Sequence, residues 1–119
     1  MKGQGVSENK TEAVNLFRKA AEQGNADAQF WIGLCYYEGI GVTQDYAKAL
    51  SCFHEAANQG DTRAMHIIGL CYDNGDGVTR SIETAMYWYK KAGDLGNEQA
   101  LDIYNEYYQQ NYRAKDPDQ

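Results

Sequence analysis

Apolar residues in this chain recur at intervals of three and four. Ala28, Trp31, Ile32, Cys35 and Tyr36 stand at i, i+3, i+4, i+7 and i+8, which draws one apolar stripe down an α-helix. Ala64, Ile67, Ile68, Cys71 and Tyr72 draw the same stripe again, and Ile82, Ala85, Met86, Tyr89 and Ala92 draw one on another helix. No period-2 run of β-branched residues survives anywhere, so strands are not expected and the pattern predicts an all-α fold. Helices are predicted near residues 9–22, 26–38, 45–58, 61–74, 81–95 and 97–110.

The residues between the stripes agree. Gly24-Asn25, Gly60-Asp61 and Gly96-Asn97 each supply a glycine on which a helix can end, then a side chain able to accept from the free N–H groups of the next helix. Asp45 and Ser81 close the longer loops Gly39-Ile-Gly-Val-Thr-Gln and Gly75-Asp-Gly-Val-Thr-Arg as further N-caps. Asn9 is predicted to cap the first helix, with Glu12 three residues on. The tail 111–119, ending Lys-Asp-Pro-Asp-Gln, is expected to be flexible.

A fixed step underlies this punctuation. Gly5, Gly41 and Gly77 are 36 residues apart, as are Gly24, Gly60 and Gly96; Ala28, Ala64 and Ala100; and Val6, Val42 and Val78. Phe17, Phe53 and Tyr89 keep an aromatic in register. Each period holds two helices, and one such pair cannot bury its own stripe, so the pairs must stack. The expected architecture is a right-handed α-solenoid of stacked antiparallel helix pairs, by analogy with other helix-pair repeats. Gly33 and Gly69 lie mid-helix at a cost of about 1 kcal/mol each relative to Ala, which points to a neighbouring helix backbone approaching closely. The small pairs Ala20-Ala21, Ala56-Ala57 and Ala92-Gly93 suggest the same on the second helix.

Composition narrows the function. At 119 residues the chain is one domain, and 43% hydrophobic content suffices for a core. A net charge of −6 argues against nucleic acid and anionic lipid, both of which need a basic patch. No apolar run approaches a membrane span, and MKGQGVSENK contains no apolar signal core. Cys35, Cys52 and Cys71 are odd in number and widely spaced, so they read as small core residues in a reducing compartment. A cytoplasmic setting is favoured for the chain as it stands, with a secreted or periplasmic one open to a longer parent.

The blocks AQFWIGLCYYEGIGVTQDYAKALSCFHEAANQG and AMHIIGLCYDNGDGVTRSIETAMYWYKKAGDLG resemble Sel1-like repeats, whose pattern is A-x3-LG-x2-Y-x2-G-x-GV-x2-D-x2-KA-x2-WY-x-KAA-x2-G. The resemblance covers about residues 3–108. Ile32 and Ile68 replace the pattern's Leu, Ser81 its Asp and Thr84 its Lys, none of which touches the glycine framework. Residues 1–110 then form the repeat domain: a partial repeat 3–25, repeats 26–61 and 62–97, and a terminal helix 97–110. The resemblance implies an adaptor that brings other proteins together. Some bacterial relatives carry a cysteine pair in every repeat, which this sequence lacks, so Cys35 and Cys71 are expected to be free thiols.

Catalytic and metal chemistry find no support. Gly39-x-Gly41 and Gly75-x-Gly77 follow helices and lack the third glycine of a dinucleotide loop. Asp73-Asn-Gly-Asp-Gly has glycines at the third and fifth positions of a calcium loop, and Thr84 where its bidentate Glu belongs. His54 and His66 have no partner at metal spacing and are expected at the surface, and Asn9-Lys-Thr matters as a sequon only in a secreted eukaryotic protein. No cofactor is expected, and a hydrolase is the remotest reading.

The surface says more. In helix-pair solenoids the first helix of each repeat lines the concave side. A second apolar row on helix 26–38, Ala26, Phe30, Leu34 and Tyr37, is matched by Thr62, His66, Leu70 and Asp73, then by Glu98, Asp102, Glu106 and Gln109. The expected partner is a protein or peptide with an apolar anchor and a basic end, held by Phe30, Leu34, Tyr37, His66, Leu70, Asp73, Asp102 and Glu106. The alternative is that Phe30 and Leu34 only pack on neighbouring helices. A structural or self-associating segment is the runner-up function, with a homodimer formed through an apolar N-terminal edge around Val14 and Phe17.

Overall fold

A short polar side chain closes the first turn of five successive helices. Asn25 Oδ1 accepts from Ala28 N at 3.0 Å, Asp45 Oδ1 from Lys48 N at 3.1 Å, and Ser81 Oγ from Thr84 N at 3.2 Å. Asp61 accepts from both Arg63 N and Ala64 N, and Asn97 from Ala100 N. The structure, a computed structural model, describes the backbone of residues 2–113 and the side chains of residues 9–111. Within them run α1 (Lys2–Glu22), α2 (Ala26–Glu38), α3 (Tyr46–Asn58), α4 (Thr62–Asn74), α5 (Ile82–Asp94) and α6 (Glu98–Tyr108), with no strand. A π-helical turn, Gln109–Arg113, follows α6, so the chain stays helical into the segment expected to be flexible. Residues 114–119 lie outside the described residues.

The N-terminus departs from expectation. Gly3, Gly5 and Val6 match the 36-residue step, yet α1 begins at Lys2, and Asn9 lies inside the helix instead of capping it. The reason is the anchoring that the later loops possess. Gly39 N–H donates to Cys35 O, and Asp45 N–H to Tyr36 O; the next loop repeats both bonds from Gly75 to Cys71 and from Ser81 to Tyr72. In residues 3–8 the backbone groups are instead satisfied within α1 itself.

Each helix packs on the one before and the one after it, so the molecule grows along one direction to 65 × 29 × 22 Å. The pairs α2/α3 and α4/α5 are antiparallel hairpins, and α1 and α6 close against their outer sides. At the centre of each hairpin lies one fully buried ring, Phe53 in the first and Tyr89 in the second, each 0% exposed. These rings, and not a neighbouring backbone, account for the mid-helix glycines. A Cβ on Gly33 would fall 2.6 Å from Phe53 Cε1, and one on Gly69 2.6 Å from Tyr89 Cε1. Gly93 does meet backbone, since its Cβ would lie 2.9 Å from Leu101 Cα.

The Asp61 cap makes stability depend on pH. Burial tends to raise its pKa, but hydrogen bonds and charge from Arg63, with the Ala64 N–H, hold it below the ordinary value near 3.8. A carboxylate depressed by folding stabilises fully above its unfolded value, and that contribution is lost as pH falls through the folded one. Thermal melts between pH 7 and pH 2 should therefore show a decline below about pH 4. Asp61→Asn, which keeps the capping oxygen and removes the charge, should flatten part of that decline.

Candidate interaction surface

Of the first-helix residues expected to hold a partner, those on α2 turn toward the next repeat. Phe30 is 6% exposed, and the Arg63 guanidinium of α4 lies 4.4 Å from its ring centre. Its ring also meets Phe53 at 6.0 Å and Trp31 at 5.4 Å. The Tyr37 hydroxyl donates to Asp76 Oδ2 at 2.8 Å, while its ring packs edge-on against Tyr46. Phe30 and Tyr37 thus join repeats, with Phe30 packed on its neighbours. One repeat on, His66 is half-buried against the Tyr89 ring at 5.9 Å, and Asp73 accepts from the Tyr89 hydroxyl at 3.3 Å. Leu34 and Leu70 are half-buried, whereas Asp102, Glu106 and Glu98 are exposed.

The open row lies one position over. At 100° per residue, Asp27, Trp31 and Leu34 share a strip of α2, with Trp31 open and Leu34 resting on the core. The 36-residue step carries that strip to Arg63, Ile67 and Leu70 on α4, then to Gln99, Ile103 and Glu106 on α6. Trp31 is 45% exposed, and Ile67 and Ile103 are half-buried beside it in the series. Arg63 Nη2 reaches Asp27 Oδ1 and Asp61 Oδ2, each at 2.6 Å, tying α2 to α4 along the edge of the strip. Sequence reasoning placed Trp31 in the core because its stripe fits a single buried face. Its size was the available signal: the later repeats carry Ile at that place, and a tryptophan is rarely buried whole.

The N-terminal edge also differs from expectation. Val14 is 1% exposed and Phe17 half-buried, both against Ile32 and Cys35; Leu16 is the open residue, at 67%.

The reactive groups are held in quiet forms. All three cysteines are free, with Cys35 and Cys71 buried as expected. Burial, then the Glu38 charge, raises the Cys35 pKa, and burial pushes Cys71, beside Asp76, up to about 12. These thiols stay protonated at neutral pH and are poor nucleophiles. His54 and His66 are half-buried instead of surface residues, and burial lowers the pKa of each, so both are neutral at pH 7. Among the described residues no three His, Cys, Asp or Glu gather where a metal could be held, and no helix is long and apolar enough to cross a membrane.

The family model described as Sel1 repeat matches residues 1–25, 26–61 and 62–97. Among solved structures, a Sel1 repeat protein from Oxalobacter formigenes is similar, with TM-score 0.82 and 33% identity over 86% of this chain and 42% of that one. So is c5321, a protective antigen of uropathogenic Escherichia coli with an SLR fold, at TM-score 0.78 and 37% identity over 82% of this chain and 21% of that one. Cysteine rich protein B of Helicobacter pylori follows at TM-score 0.74 and 28% identity, over 79% of this chain and 71% of that one. The chain spans less than half the length of the first two. No curated protein sequence matches it.

Proposed function

The chain belongs to the Sel1 repeat family, whose repeats generally serve as protein–protein interaction modules, and from that premise we propose that it holds a partner polypeptide along the strip crossing α2, α4 and α6. The observation that carries this reading is Trp31, a large ring 45% exposed at one end of a series continued by Ile67 and Ile103. Aromatic anchors of this kind supply most of an interface's energy, while their neighbours exclude water. Leu34 and Leu70 widen the apolar part of the strip. Tyr37, His66 and Asp73, half-buried, form its wall, with Phe30 beneath as support. Asp102 and Glu106 make the far end acidic, which suits a partner with an apolar anchor and a basic end.

Such a surface works by shape and solvent exclusion. The strip is fixed by helices stacked in series, so a guest segment orders itself against an organised template and only the guest loses conformational freedom. Sel1-repeat solenoids are typically non-catalytic, and burial keeps the Cys35 and Cys71 thiols protonated.

Trp31→Ala with Ile67→Ala tests the reading, using pull-down from source lysate and mass spectrometry. Loss of ring area at this anchor should cost about 2 kcal/mol or more of binding, a fall of roughly 30-fold in affinity. Both side chains are partly open, so circular dichroism should show the fold retained. Capture of every partner by the double variant would remove the strip as the site. Self-association through the N-terminal edge has one observation in its favour, the exposure of Leu16 on α1. It requires the sedimentation of the free chain to rise with concentration.

A further inference from the structure

On the side of α2 turned away from Trp31, a cleft of about 560 Å³ opens between α1 and α3. Its floor is Gln29, Ile32 and Tyr36 of α2; Arg18 and Glu22 stand on the α1 wall, Lys48, Cys52 and Glu55 on the α3 wall. The floor is built: Gln29 is 6% exposed, donates to Ala21 O and Glu55 Oε2, and accepts from Gln59 Nε2 at 2.8 Å. The Arg18 guanidinium donates to the Tyr36 hydroxyl at 3.1 Å, and Lys48 Nζ lies 5.5 Å from the centre of that ring. Burial first, and Glu55 second, push the Cys52 thiol up to about 11, with Arg18 opposing, so it presents a neutral, weakly polar surface.

The repeat itself shows what fits there. Moving the lining forward by 36 residues turns Arg18 into His54, Gln29 into Met65 and Cys52 into Trp88. In that next interval the Trp88 ring is half-buried against the main core and meets the His54 ring edge-on at 5.4 Å. Lys91, the counterpart of Glu55, lies 5.3 Å from the same indole. One interval therefore carries its own indole, and the other has a thiol in its place and a cleft above it.

We propose that the α1–α3 cleft receives a tryptophan or tyrosine side chain from a partner polypeptide, in the place that Trp88 occupies one repeat later. Ile32 and Cys52 supply the apolar contact, and the cations Arg18 and Lys48 can approach the face of a seated ring. The rim carries both signs, Arg18 and Lys48 against Glu22 and Glu55, which matches a peptide with charges of both signs flanking its aromatic residue. This site lies on the opposite side of α2 from the Trp31 strip and stands independently of it.

The probe is the blocked pentapeptide acetyl-Lys-Gly-Trp-Gly-Glu-amide, titrated into the isotope-labelled full chain and followed by amide chemical shifts. Expected is a saturable response at Gln29, Tyr36 and Cys52 with a dissociation constant on the order of 1 mM, the strength of a single anchored side chain. The same peptide with Ala for Trp should give no saturable response. Cys52→Trp, which fills the cleft from within, should abolish the response, and Trp88→Cys should add a second set of shifts at His54 and Tyr72. If one variant fails to fold, the other still decides. The proposal is overturned if the Trp peptide gives no saturable shifts at the cleft, or if both peptides act alike. It is equally overturned if the folded variants respond as the parent does. Cleft shifts that track protein concentration without peptide would make a second copy the occupant and overturn it too.

Discussion

Phe53→Ala should lower the unfolding free energy by about 3–5 kcal/mol, as large aromatic-to-alanine changes in closed cores do. The ring is 0% exposed and faces Gly33 on α2, a residue with no side chain to move into the space. Phe30 and Tyr37 contact the same ring, at centroid distances of 6.0 and 6.3 Å, and both are tied to the next repeat, Phe30 under Arg63 and Tyr37 through Asp76. The site is thus poorly able to collapse, which is the condition under which a cavity costs most. Urea denaturation gives the value directly. A loss under about 1.5 kcal/mol would mean that the hairpin repacks freely, contrary to the picture of a rigid ring seated on a bare helix face.

The second large loss is expected at a loop. Gly77→Ala should cost about 2–5 kcal/mol, the sum of two terms. A side chain at φ +74° costs about 1–2 kcal/mol, and overpacking adds about 1–3. The added Cβ would fall 2.6 Å from Tyr46 Cβ and 3.2 Å from the Tyr46 carbonyl carbon, so the loop between α4 and α5 would be lifted off the start of α3. Gly60→Ala separates the terms. Its φ is +89°, but nothing lies within 4 Å of the new Cβ, so only the backbone cost of about 1–2 kcal/mol should appear. Equal losses at the two positions, in parallel denaturation curves, would refute the contact argument.

Much of this was legible in the residues and some of it was not. The stripes and caps of α2 to α5 could be read because caps and periodicity are local: Asn25, Asp45, Asp61 and Ser81 each bond a backbone group two or three residues away. The start of α1 was not legible, because a loop such as Gly39–Gln44 is held by bonds to the helix before it, and glycine spacing alone does not reveal whether such bonds form. Which first-helix rings stand open was hard to read for a related reason. A helix in a stack is covered on the side of the preceding repeat and again on the side of the following one. Phe30, read as open, therefore lies under Arg63, and Trp31, read as core, is the more exposed ring. Gly33 and Gly69 were rightly singled out as needing a close neighbour. That the neighbour is an aromatic edge depends on where Phe53 and Tyr89 point, which is known only once the hairpins have closed.

Among the described residues each helix leans mainly on the helices next to it in sequence, and the ties that skip a helix are single side chains such as Arg63 on Asp27 and His54 on Trp88. Stretched between its two ends, such an array would yield one hairpin at a time under modest force and re-form in the same order, and the surviving hairpins would keep their shape meanwhile. An array with that behaviour lengthens under load while its intact part keeps its surface.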